Sequence, residues 1–152
     1  VGYAVKDLRR QLRRILGLDR TLKVAIMGAG NLGLALAGYP GFRQEGFRIV
    51  ALFDSMRRKI GRLSRSGIRI YDIRELQGVA RREGITIAVI AVPANSAQQV
   101  VNTVVQAGIN AVLNFSPGAL RVPKHVKLKS VDLTVSLESL SFYLASHEAG
   151  KG

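Results

Sequence analysis

Apolar residues recur along the chain with two different periods, and the places where the period changes mark out its elements. Residues 5–16 put Val5, Leu8, Leu12, Ile15 and Leu16 on one face, with Arg residues opposite. That spacing predicts an amphipathic helix, and Gly17 is suited to close it. From Leu22 to Met27 the pattern becomes a short, mostly apolar run, which predicts a buried strand. A helix is expected from Asn31 to about Gly38, broken by Tyr39-Pro40-Gly41. Strands are expected at 47–53, 67–71, 85–92, 110–115 and 126–131, with a basic, loop-like stretch at 55–66. Asp72 and Glu75 have capping-box spacing and predict a helix that packs Ile73, Leu76, Val79 and Ala80 inward. Pro93 ends one strand, and Asn95 or Ser96 is expected to cap a helix running to Ala107. A last helix is expected over 134–147.

Short apolar strands alternating with helices predict an α/β protein: a doubly wound, mostly parallel sheet with flanking N- and C-terminal helices. The expected organisation is a linker helix at 1–20, a nucleotide-binding domain at 21–133 and a terminal helix at 134–152. Leu133, just before that last segment, forms one apolar stripe with Leu137, Leu140 and Leu144, and Val135, Phe142 and Tyr143 widen it. So broad an arc at a chain end predicts self-association, hence a homodimer held through this helix.

The stretch Gly28-Ala29-Gly30-Asn31-Leu32-Gly33 fits G-x-G-x-x-G between a predicted strand and a predicted helix. In that setting Gly28 makes a tight turn, Gly30 lets a pyrophosphate approach the backbone, and Gly33 allows close helix–strand packing. The N–H groups at the start of the helix would face the phosphates. Asp54 stands 21 residues beyond Gly33 at the end of the second strand. A carboxylate there accepts hydrogen bonds from the adenosine ribose and favours NAD(H) over NADP(H). Arg57 and Arg58 oppose that preference. The alternatives are a CoA-binding Rossmann-like domain, which has no need of the acid, and a fragment of an NAD(P)-dependent oxidoreductase.

Composition narrows these readings. The 152 residues contain no Cys and only two His, so disulfides, thiolate metal sites and cysteine nucleophiles are excluded, and a Ser-His-Asp triad is not expected. No acid/base group stands out, so a binding or sensing role is expected rather than catalysis. No apolar run is long enough for a membrane span and no leader pattern is visible, which predicts a cytoplasmic protein. The 23 Lys and Arg against 10 Asp and Glu give a net charge of +13. Without interleaved aromatic residues this excess predicts a basic surface with sequence-independent attraction to phosphate-rich partners.

The chain resembles the NAD-binding region of the Rex redox-sensing transcriptional repressors. The resemblance is carried by Val1-Gly2-Tyr3 before the amphipathic helix, the Gly28–Gly33 turn, Tyr39-Pro40-Gly41-Phe42, Phe53-Asp54 with Lys59-Ile60-Gly61, and Val92-Pro93 with Ala97-Gln98. Ala107-Gly108-Ile109, Leu113-Asn114-Phe115-Ser116-Pro117, Val122-Pro123, Val131-Asp132-Leu133 and Leu140-Ser141-Phe142-Tyr143-Leu144 complete it. It implies a homodimer with an exchanged C-terminal helix, and release of the full-length repressor from operator DNA when NADH binds, with NAD+ competing. It also implies a cofactor site built from Gly28, Ala29, Gly30, Asn31, Leu32, Gly33, Asp54, Val92, Pro93, Asn114 and Phe115. Tyr39 and Asp132 are implied as the switch facing the DNA-binding domains. Two features depart from the family pattern. The winged helix that reads DNA is not among these residues, so operator binding is expected only with a segment upstream of Val1. Ser55-Met56-Arg57-Arg58 replaces a stretch that in the family usually carries further acids and a proline.

Overall fold

The computed structural model describes residues 2–16, 21–132 and 140–146. It contains helix α1 (Gly2–Leu16), strand β1 (Leu22–Met27), helices α2 (Asn31–Ala37) and α3 (Pro40–Gln44), and strands β2 (Phe47–Asp54) and β3 (Ile70–Asp72). A 3-10 turn (Ile73–Glu75) leads into α4 (Leu76–Glu83), followed by β4 (Ile87–Ile90), α5 (Ala94–Gln106), β5 (Ala111–Asn114) and β6 (Lys127–Ser130). The strands form one sheet in the order β3-β2-β1-β4-β5-β6, parallel at every pairing. The strand order reverses between β1 and β4. The carboxyl ends of these two strands therefore open a crevice, the usual ligand site of a doubly wound sheet.

Strand period two divides the core between the two faces. Ala25, Met27, Ala51, Phe53, Ala88, Ile90 and Val112 point to one side, where Leu76, Val79 and Ala80 of α4 and Ala97, Val101 and Val104 of α5 cover them. Val24, Ile26, Leu52, Ile87, Val89 and Leu113 point to the other, under Ala37 of α2, Phe42 of α3, and Val5 and Leu12 of α1. Helix α1 is thus packed onto the sheet. The ion pair between Asp7 and Lys129 of β6, at 2.9 Å, spans the same contact. Ile15, expected on the buried face, is 54% exposed.

The differences from the expected elements have local causes. Tyr39-Pro40-Gly41 ends α2 and at once opens α3, because a proline at the first helical position fits its fixed φ and needs no N–H partner. The third strand lies at Ile70–Asp72, later than expected, because residues 61–70 fold back on themselves. Gly61 N–H donates to Ile70 O, Ile70 N–H to Arg62 O and Ser64 N–H to Ile68 O at 2.8–2.9 Å. Helix α5 begins at Ala94 with Pro93 as its N-cap and no side-chain cap, so neither Asn95 nor Ser96 caps it. Strands β4, β5 and β6 are shorter at both ends than the expected 85–92, 110–115 and 126–131. The Asp72–Glu75 capping box is formed as predicted. Of the expected last helix, residues 140–146 are described and helical; the rest of 133–152 lies outside the described residues.

Candidate functional site

Strand β1 ends in the glycine turn, and its three glycines have separate tasks. Gly28 adopts φ 110°, and a Cβ there would lie 2.5 Å from the carbonyl oxygen of Ala91. Its N–H donates to Phe53 O at 2.7 Å, which seats the turn between β1 and β2. A Cβ on Gly33 would collide with the Gly28 carbonyl, so α2 approaches the turn closely only because that side chain is absent. At Gly30 a Cβ would meet nothing within 4 Å. Gly30 is therefore not demanded by the fold, and what it leaves free is space above the turn. With only seven residues, α2 contributes little dipole, so the turn's own backbone must supply most of any phosphate contact.

Asp54 ends β2 beside this turn. Its Oδ2 accepts from Ala29 N–H and its Oδ1 from Met56 N–H, both at 2.9 Å. Lys59 Nζ donates to the Ala29 carbonyl at 3.2 Å. The carboxylate thus holds the turn in place while keeping further lone pairs for hydroxyl groups. At the carboxyl end of the neighbouring strand β3 the Arg74 guanidinium bonds Asp72 at 2.8 Å and holds its carboxyl below the usual carboxylate range.

A cavity of about 490 Å³ opens at this point, a size suited to a cofactor. Gly28, Gly30, Asp54, Val92 and Pro93 line it, joined by Phe53, Ser55, Met56, Lys59, Ile73 and Ala91. From α5 come Ser96, Gln99, Val100 and Thr103. Ala29 and Gly33 are buried beneath it. Asn31 is exposed and Leu32 half-buried on α2, and neither lines the cavity. Asn114 is fully buried at the end of β5. Its amide donates to Ser116 O and Ser130 Oγ and accepts from Ser116 N–H, so it braces the loop after β5 instead of facing this cavity. Phe115 packs, half-buried, against the core on the α1 side. Tyr39 stands edge-on to Phe42 with ring centroids 5.1 Å apart, at a separate cavity of about 440 Å³. Asp132 is exposed just after β6.

Lys59, Gln99 and Thr103 carried no assigned role in the sequence. The available signal was a polar row on α5, since Ser96, Gln99 and Thr103 recur at helical spacing beside the buried row of Ala97, Val100, Val101 and Val104. A larger cavity of about 740 Å³ lies between α2 and the 61–70 fold, lined by Lys59, Arg62 and Arg65 among others. It lacks Asp54 and lies off the crevice where the strand order reverses, so it is the poorer nucleotide candidate. Among the described residues no group of His, Cys, Asp and Glu could hold a metal ion, and no helix is long and apolar enough to cross a membrane.

A family model described as the CoA binding domain matches residues 19–118. The redox-sensing transcriptional repressor Rex of Desulfitobacterium hafniense is 43% identical over 149 residues, covering 98% of this chain and 70% of that protein. The chain belongs to the Rex family. A crystal structure of RSP, a Rex-family repressor, in complex with beta-NADH superposes with a TM-score of 0.80 at 37% identity, covering 96% of this chain and 70% of that one. The complex of RSP with beta-NAD+ and operator DNA gives 0.79 at the same identity, covering 96% of this chain and 67% of that one. The all-parallel Rossmann-like sheet is thus the Rex fold.

Proposed function

We propose that this chain is the NADH- and NAD+-sensing domain of a redox-responsive transcriptional repressor, in which NADH releases the full-length dimer from operator DNA. The observation that carries the proposal is the pairing of open space above Gly30 with the Asp54 carboxylate in one cavity at the strand-order reversal. Of the residues proposed for the cofactor, Gly28, Ala29, Gly30 and Asp54 serve the pyrophosphate and adenosine ribose. Val92 and Pro93 wall the crevice, and Asn31, Leu32, Gly33, Asn114 and Phe115 position its frame. The bound cofactor supplies its redox state as a signal; this chain's residues only hold and orient it, so no catalysis is assigned.

The exposed apolar residues of 140–146, with Phe142 78% exposed, support a homodimer formed through residues 134–152. Residues 1–20 and 21–133 are proposed as the linker helix and the sensing domain of a cytoplasmic protein. Operator reading is assigned to a winged helix preceding Val1 in the longer protein, with Tyr39 and Asp132 passing the nicotinamide state to it by favouring one dimer arrangement. A gel shift at physiological salt tests this. The longer protein should bind a palindromic operator, and NADH should release it more effectively than NAD+. Residues 1–152 alone should show only weak, salt-sensitive binding. Tight, sequence-dependent binding by 1–152 alone, or indifference of the longer protein to NADH, would overturn it.

A further inference from the structure

We infer that the adenosine end of this cavity also admits a ribose carrying a phosphate, so that NADPH binds where NADH does. The inference rests on the nucleotide reading above and concerns the charge around Asp54. An acid in that position ordinarily repels a 2′-phosphate. Here both of its oxygens accept backbone N–H groups, from Ala29 and Met56, so its charge is partly satisfied and its direction fixed.

The chain then turns sharply. Lys59 N–H donates to Met56 O at 3.0 Å and Ile60 N–H to the same oxygen at 3.3 Å. This turn brings Arg58 Nε to 3.0 Å from the Met56 sulfur. Met56 itself lines the cavity, so the Arg58 guanidinium is held against a residue of the cavity wall two positions from Asp54. A thioether is a weak acceptor, and a phosphate would draw the guanidinium from it at little cost. Lys59 also lines the cavity, and Arg57 stands exposed on the same turn. The ion pairs Arg74–Asp72, Arg82–Glu83 and Lys129–Asp7 engage none of these three cations, although the Arg57 charge helps to hold the Asp72 carboxyl low. Asp72, the neighbouring acid on β3, is already taken by Arg74. Lys59 in the cavity wall and Arg58 against Met56 thus stand near one hydrogen-bonded carboxylate, and an Arg at such a place can grip a phosphate through paired N–H groups.

Calorimetric titration of the full chain with NADH, NADPH, ADP, 2′,5′-ADP and 3′,5′-ADP tests the inference, with Arg58→Glu and Arg58→Lys alongside. NADPH should bind with a Kd within tenfold of that for NADH, and 2′,5′-ADP should bind more tightly than ADP. Arg58→Glu should raise the NADPH Kd more than tenfold and the NADH Kd less than threefold, and Arg58→Lys, which keeps the charge but loses the paired N–H grip, should raise the NADPH Kd by an intermediate factor. NADH binding with NADPH more than tenfold weaker overturns the inference and leaves the nucleotide reading standing. Equal effects of Arg58→Glu on both cofactors also overturn it. Tighter binding of 3′,5′-ADP than of 2′,5′-ADP overturns the NADPH assignment in favour of a CoA-like phosphate. Failure of every nucleotide to bind overturns both readings.

Discussion

Replacing Asp54 by Ala should damage the empty protein as well as its affinity for NADH. The carboxylate accepts the N–H of Ala29, a residue 1% exposed, and the N–H of Met56 on the exposed side. Hydrogen bonds to a charged group contribute about 1.5–3 kcal/mol, and a buried donor left without a partner costs about 1–3 kcal/mol. The exposed Met56 bond adds little because water replaces it. The loss in stability should therefore be about 2–3 kcal/mol, a fall in Tm of roughly 5–10 °C for a domain of this size. Asp54→Asn keeps one acceptor oxygen and should lose about half as much. Thermal unfolding followed by far-UV circular dichroism without nucleotide reads this directly. NADH titration of the surviving folded variant should show a separate weakening of about 1–3 kcal/mol, from lost bonds to the ribose. A Tm for Asp54→Ala within a degree of the parent would refute the claim that this carboxylate holds the glycine turn.

Three further outcomes follow from the same geometry. Gly33→Ala drives a Cβ into the Gly28 carbonyl, which cannot swing aside, and should cost on the order of 3 kcal/mol, read by urea unfolding. Asp72, whose carboxyl Arg74 holds below its ordinary value of 3.8, stabilises the fold fully above that pH and loses its contribution as pH falls through the lower folded value; Asp72→Asn should flatten that acid limb of a stability profile. Sedimentation of the full chain should give a dimer at micromolar concentration, and deletion of 134–152 should give an aggregating product; a well-behaved monomer of the full chain would contradict the proposed interface.

The sheet was legible because its central strands β1, β4 and β5 are apolar on both faces, and the glycine turn because its three glycines stand between such a strand and a helix. Boundaries were less legible where neighbours decide them. β3 begins late because Gly61–Ile70 pairs with itself, and α3 exists because Pro40 can start a helix as readily as end one. In the site, Asp54 was visible from its spacing to Gly33. Its grip on Ala29 was not, since that bond links residues 25 apart through the parallel pairing of β1 and β2. Asn114 was expected in the site because the resemblance to the Rex repressors implied it. Only the contacts to Ser116 and Ser130 show its amide turned into the fold.

The central claim is that a nucleotide occupies the open space above Gly30. The most direct measurement is fluorescence titration of NADH into the parent chain and into Gly30→Val. A Val side chain there meets no atom of the protein within 4 Å of its Cβ, so the fold should stay within about 0.5 kcal/mol of the parent. The account predicts saturable NADH binding by the parent and none by the equally stable variant. Unchanged NADH binding by a folded Gly30→Val protein, or none by the parent, would contradict it.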